Sequence, residues 1–288
     1  YKELQKKISK SNSDIAFHFA AQSIVSEASK MPIDTYKTNI LGTATFLESC
    51  LKAKKVKLAV IITTDKCYDD NFGKNYFKEE SILGGSEPYS ASKACAEILS
   101  KSYVNKFKKK QKKIITLRAG NVLGGGDWKK NRIVPDILKA VNKNLKIKIR
   151  NPNSTRPWQH VLDCLNGYIL ASEYSFNNKF FYNTWNISSS LKYQISVKKL
   201  LEIFSKKLPK LKKLIHYENN KSFYETKTLH LNSYKAEKEL GWKAILNNEN
   251  IVDFILEWHQ ANNQKKNMKS FSINQILKFY KKVTYKKI

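Results

Sequence analysis

Arginine is scarce in this chain. Of 53 basic residues in 288, only Arg118, Arg132, Arg150 and Arg156 are arginines, against 24 acidic residues and a formal net charge of +29. Surfaces that read nucleic acid favour the flat guanidinium fork, so no specific nucleic-acid partner is expected. The lysines are spread along the chain as a compositional bias. Their one dense run, Lys106–Lys113, predicts a solvated helix end or loop. Long apolar runs are also missing. The longest, Leu58–Ile62, falls far below the roughly 18 residues of a membrane span, so no membrane partner is expected. The opening Tyr1–Lys7 stretch has no apolar core behind it and does not resemble a signal peptide. The four cysteines, Cys50, Cys67, Cys95 and Cys164, have neither paired nor metal-type spacing. They read as small core residues of a reducing compartment rather than a disulfide framework. No carboxylate or cysteine cluster accompanies His18 or His160, so both read as packed or orienting residues, and no metal is expected. Two further absences stand out: an initiator methionine, and the Gly-x-Gly-x-x-Gly turn that normally opens a dinucleotide-binding sheet. The chain is therefore expected to begin partway into such a domain, roughly 60 residues or two strand–helix units in.

What is present alternates. Ile15–Ala20 and Leu58–Ile62 read as buried strands, and Ile114–Arg118 as a third. Ile40, Ala44, Leu47 and Leu51 form one helical stripe. A polar loop over Asp69–Glu87 precedes a helix opened by Pro88, a residue suited to a first turn. This pattern predicts an α/β fold with a doubly wound parallel, Rossmann-like sheet. Beyond Gly120 the pattern loosens. Short helices are expected at Val134–Asn142 and Val161–Ser172, a strand at Trp185–Ile187, and a helix at Ile251–Gln260. The domain expectation is 1–120 for the remainder of a cofactor-binding domain. Residues 121–288 are expected to be mainly a smaller substrate lobe, with a strand near 183–188 returning to the sheet.

Two constellations carry chemistry. Tyr89 and Lys93 lie four apart on the expected helix and share a face. An ammonium beside a phenol favours the phenolate and lowers its pKa from about 10, which would make Tyr89 a base. Alone the pair is weak, because such spacing is common by chance. The second constellation is Thr63-Thr64-Asp65-Lys66-Cys67-Tyr68, delivered by a buried strand to the sheet edge where active sites of open α/β sheets collect. An ordinary turn with Asp65 as a helix cap is the competing reading.

Together these blocks resemble the extended short-chain dehydrogenases, and within them the CDP-glucose 4,6-dehydratases. The resemblance runs from about Ile15 to Trp242. It rests on His18–Ser23, Thr38–Thr43, Thr64–Tyr68, Pro88–Lys93, Arg118–Trp128 (with Gly124-Gly125-Gly126-Asp127-Trp128) and Arg156–Val161. The related dTDP-glucose dehydratases carry Asp-Glu where this chain has Asp65-Lys66.

The resemblance implies NAD as internal redox cofactor and a nucleotide hexose as substrate. It also implies a cytoplasmic homodimer acting in deoxysugar and lipopolysaccharide O-antigen biosynthesis. Tyr89 would deprotonate the 4-hydroxyl, Lys93 would hold the phenolate, and Thr64 would bond the sugar. Asp65 would protonate the departing 6-hydroxyl. Lys66 would act at C5 or merely pair with Asp65. Phe19, Ala20, Ala21, Thr38 and Val122 match cofactor contacts, while Ser23, Asn121 and Asn186 match positions near the substrate. Arg132 and Arg156, with Arg150 as a third, suit a sugar diphosphate; the alternative for Arg156 is a surface ion pair. A neighbouring nucleotide-sugar epimerase or dehydratase is the second reading, and a basic nucleic-acid binder on the same fold is a third. Without the glycine turn, this stretch alone is expected to be inactive.

Overall fold

The computed structural model describes residues 1–69, 76–218 and 229–285. They divide into two compact units, one of Tyr1–Gly120, Gly167–Ile187 and Leu231–Trp242, the other of Asn121–Asn166, Ser188–His230 and Lys243–Ile288.

The first unit is built on four strands, β1 (Ile15–His18), β2 (Leu58–Thr64), β3 (Lys113–Ala119) and β4 (Tyr182–Ile187). They pair in that order and all run parallel. β2 and β3 are apolar at most positions and buried along most of their length, as strands covered on both faces must be. The Gly42–Lys52 helix packs on β1 and β2, and the Pro88–Ser102 helix on β2 and β3. Between these layers Phe46, Leu47, Cys50, Ile61, Phe107 and Ile114 form a buried cluster. The expected stripe at Ile40 begins in a π-helical turn, Lys37–Leu41, that runs into the Gly42–Lys52 helix. Of the polar loop expected over Asp69–Glu87, residues 70–75 lie outside the described residues, and Tyr76–Phe77 is a short strand.

The Lys106–Lys113 run departs from the solvated segment expected. The Val104–Lys109 helix ends it on the surface side, but Lys112 and Lys113 turn inward. Lys112 Nζ donates to the carbonyls of Cys50 (2.9 Å) and Ala53. Lys113 Nζ donates to Ser175 (2.8 Å), Phe176 (3.1 Å) and Asn178. Each ammonium thus closes the unsatisfied carbonyl end of a helix, where positive charge is favoured.

The second unit buries Ile137 and Leu138 of the Ile133–Lys143 helix with Leu200 and Phe204 of Val197–Lys207. Ile251, Val252 and Ile255 of Asn248–Asn263 join them, as does Phe279 of Met268–Tyr285. Its strands are short pairs, among them Asn121–Leu123 beside Trp158–His160. Cys50, Cys67, Cys95 and Cys164 form no disulfide. No helix among the described residues is long and apolar enough to cross a membrane.

Candidate active site

Because β1 and β2 run parallel, their C-terminal ends lie on one edge of the sheet, and the candidate residues gather there. β2 ends in Thr63 and Thr64, whose side chains alternate between faces as strand geometry requires. Thr64 caps the single turn Asp65–Cys67, accepting from the Lys66 backbone N–H at 3.3 Å. The cap role considered for Asp65 therefore belongs to Thr64. Its hydroxyl donates to Asp65 Oδ1 at 2.9 Å and lies beside the Tyr89 phenol, whose titration it influences. Asp65 and Tyr89 are both buried, and the Asp65 carboxylate lies close enough to act on the phenol. Lys66 is half-buried in the turn.

The helix bearing Tyr89 has a firmly set start. Glu87 accepts from the backbone N–H groups of Tyr89 and Ser90, each at 2.8 Å, and from the Ser90 hydroxyl. Pro88 follows in the first turn. Gly85 lets this helix end approach closely: a Cβ there would lie 2.5 Å from the Ala91 nitrogen.

The titration of the pair differs from the expectation. Burial pushes the Tyr89 phenol up rather than down. The Thr64 hydroxyl acts against this, and the nearby Asp65 and Glu87 carboxylates add to it. Lys93 Nζ donates to the Ile62 carbonyl at 3.0 Å. Shared helical spacing brings the residues to one face, but desolvation and the strand carbonyl decide their states. Burial lowers Lys93 to about 8, with the Glu97 carboxylate pulling the other way.

At the end of β1, Phe19 and Ala20 are exposed, as is Thr38 of the π-helical turn, and Ala21 is half-buried. Asn39, next to Thr38, holds the segment after β1. It accepts from Gln22 N (2.8 Å) and donates to Gln22 O (2.9 Å) and Ser92 Oγ (2.8 Å). Ser23 lies exposed beyond it. His18 packs on Phe46 with ring centroids 4.7 Å apart, and burial lowers it to about 4.

Asn186 is fully buried, accepts from Tyr68 Oη at 2.6 Å and donates to Asn232 O (3.0 Å) and Phe77 O (3.3 Å). It belongs to a network absent from the sequence reading. Arg118 meets Glu97 side-on, Nε to Oε1 and Nη2 to Oε2 at 3.0 Å each, and donates from Nη1 to Tyr68 Oη at 2.8 Å. The signal was available in the spacing Tyr89, Lys93, Glu97, one further helical turn on the same face.

The remaining candidates lie in the second unit. Asn121 is half-buried at the start of its strand and Val122 is exposed. Arg132 pairs with Asp127 at 3.1 Å. Arg150 is exposed and its charge acts on Asp136 and Glu218. Arg156 is buried, donating to the Thr155 carbonyl at 2.8 Å, which removes the surface-pair alternative. In the glycine run, a Cβ on Gly125 would sit 2.2 Å from the Trp258 ring, so only glycine fits. His160 is packed against Phe254, and burial lowers it to about 4. Among the described residues, no group of three or more His, Cys, Asp or Glu side chains could hold a metal ion.

A parallel sheet whose strand tip presents Thr64 and Asp65 to the tyrosine of a Tyr-x-x-x-Lys helix defines a protein of the extended short-chain dehydrogenase type. The family described as GDP-mannose 4,6 dehydratase matches residues 1–254, and the chain belongs to it. Among curated relatives, the CDP-glucose 4,6-dehydratase of Salmonella typhimurium is 35% identical, over 91% of this chain and 74% of the relative. Among solved structures, the UDP-glucose 4-epimerase of Thermotoga maritima with UDP-glucose superposes with a TM-score of 0.80 at 21% identity, covering 91% of this chain and 82% of that one. The dTDP-glucose 4,6-dehydratase of Bacillus anthracis in complex with NAD gives 0.76 at 23% identity, covering 92% and 78%. At these identities the structural likeness speaks to the fold, which is Rossmann-like as expected.

Proposed function

We propose that this chain performs the 4,6-dehydration of a nucleotide-activated hexose, with CDP-glucose as the substrate and NAD as an internal redox cofactor. One observation carries the reading: at the C-terminal edge of the sheet the Thr64 hydroxyl donates to Asp65 Oδ1 at 2.9 Å, and both residues lie close enough to the buried Tyr89 phenol to act on its titration. An epimerase needs the tyrosine but has no use for an acid at the departing 6-hydroxyl. The relative from Salmonella supports CDP-glucose among the nucleotide hexoses. A cytoplasmic homodimer goes with the same resemblance.

The residues present fit the nicotinamide end of the cofactor. Ala20 and Ala21 carry no bulk at the exposed end of β1, and Lys93 is anchored beside the end of β2. When bound, NAD would supply the hydride acceptor for C4 and the hydride donor for C6. Tyr89 takes the proton of the 4-hydroxyl as the phenolate, with the Lys93 ammonium supplying the positive charge that a buried phenolate requires. Oxidation at C4 acidifies the C5 proton. Lys66, one residue beyond the acid, takes that proton as the neutral amine and gives it back to C5 as hydride arrives at C6. Asp65, as the carboxylic acid, protonates the departing 6-hydroxyl so that water leaves, and the proton that Tyr89 took from the 4-hydroxyl restores the acid. Arg132, Arg150 and Arg156 supply the guanidinium forks for the diphosphate.

The test supplies CDP-glucose and NAD to the full chain and follows formation of the 4-keto-6-deoxyhexose by mass. Tyr89→Phe and Asp65→Asn are each expected to lower kcat by about a hundredfold or more. Full activity in both variants sinks the mechanism. Turnover of another nucleotide hexose in preference to CDP-glucose would move the substrate and leave the chemistry.

A further inference from the structure

Glu97 lies one helical turn beyond Lys93 and two beyond Tyr89 on the Pro88–Ser102 helix. Its side chain is wholly enclosed, yet it receives four donors. Arg118 supplies Nε and Nη2 at 3.0 Å each, Thr116 Oγ1 donates at 2.7 Å, and Thr63 Oγ1 donates as well. Four donors converging on one enclosed carboxylate fix its position, the side-on guanidinium most of all. The donors come from β2 and β3, and Thr116 also bonds Thr184 of β4 at 2.9 Å. Arg118 extends the network to Tyr68 at 2.8 Å and to the Glu79 carbonyl at 2.9 Å. The helix of Tyr89 and Lys93 is therefore tied to three strands and to the segment after the strand tip through one side chain.

The same carboxylate is the anion acting on Lys93. The groups facing that ammonium are Glu97 on its own helix, the Cys67 thiol from the turn after β2, and His18 from β1. Burial keeps Cys67 a neutral thiol and His18 a neutral imidazole. Arg118 pairs with Glu97 on the side of the sheet strands, not with Lys93.

We propose that Glu97 is a positioning residue for the redox step, clamped by Arg118 and the strand threonines so that it sets the helix of Tyr89 on the sheet and holds its own charge one helical turn from the Lys93 ammonium. The proposal rests on the roles of Tyr89 and Lys93 given above and adds what holds them.

Glu97→Gln alone leaves Arg118 as an uncompensated buried charge and can fail to fold. Two other variants avoid this. The paired Glu97→Gln/Arg118→Met change removes both charges, an exchange that is often neutral for stability. Glu97→Asp keeps the charge but draws the carboxylate back by one methylene. In the full chain with CDP-glucose and NAD, the pair is expected to move the alkaline limb of the kcat–pH profile down by about one unit. Glu97→Asp is expected to lower kcat about tenfold with KM unchanged, the mark of misplacement rather than lost binding. An unmoved limb in the folded double variant overturns the proposal, and so does wild-type kcat in Glu97→Asp. Tyr89→Phe, run beside them, separates the failures: if it is inactive, only the Glu97 role has fallen, and if it is active, the underlying reading has.

Discussion

The two units hold their polar side chains in opposite ways. In the first, Thr64, Asp65, Tyr89, Lys93, Glu97 and Arg118 are buried, with Thr64 hydrogen-bonded to Asp65, Lys93 to the Ile62 carbonyl and Glu97 gripped by Arg118. In the second, two of the three candidate arginines reach solvent. Arg132 pairs with Asp127, Arg150 is exposed, and Arg156 is buried against the backbone. A group that exchanges a proton with one atom must be held to tenths of an ångström, and such tolerance comes from burial and mutual hydrogen bonds. A guanidinium on a long stem tolerates a looser frame, since its fork can find a phosphate edge from more than one approach.

The largest expected effect tests this contrast directly. Lys93→Met should cut kcat by about a thousandfold, whereas Arg132→Ala should raise KM about tenfold and leave kcat nearly intact. Equal losses of kcat in steady-state assays would abolish the distinction.

A middle-sized effect concerns pH and has opposite signs for activity and stability. Burial lowers Lys93 to about 8 from its ordinary 10.5, so kcat should fall as pH rises through about 8 and the ammonium is lost. Between about 8 and 10.5 the unfolded chain binds the proton that the folded chain has released, so stability should rise with pH there. Thermal midpoints across that range should climb more steeply for the wild type than for Lys93→Met, and parallel slopes would remove the assignment.

The smallest effect compares two helix caps. Glu87 caps the Pro88–Ser102 helix in the first unit, and Asn247 caps the Asn248–Asn263 helix in the second, accepting from Asn250 N at 2.8 Å. Alanine at either should cost about 1 kcal/mol in denaturant unfolding. Only Glu87→Ala should also reduce kcat, because Glu87 bonds the backbone of Tyr89 itself.

Much of this arrangement was legible in the amino-acid order, for reasons that differ by residue. Thr64 and Asp65 could be placed because an unbroken apolar strand has only one polar end. Tyr89 and Lys93 could be placed because four residues is one helical turn. The protonation tendency of Tyr89 was not legible. Spacing supplies a cation, but burial and the Ile62 carbonyl outweigh it. Asn186 and Glu97 were obscured for a related reason. Their partners, Tyr68 and Asn232 in one case, Thr63, Thr116 and Arg118 in the other, are distant in the chain and become neighbours only once the strand order is known. The Met268–Tyr285 helix carried no motif and went unread.

Lys112 and Lys113 look, in the chain, like the tail of a featureless basic tract. Because neighbours on a strand point to opposite sides, this dipeptide at the start of β3 sends one amine to the Gly42–Lys52 helix and the next to the end of Val161–Asn177. Two adjacent codons thus fasten a helix above the sheet and a helix below it. In a protein otherwise saturated with interchangeable surface amines, amine-directed reagents should label the exposed lysines first and reach these two last.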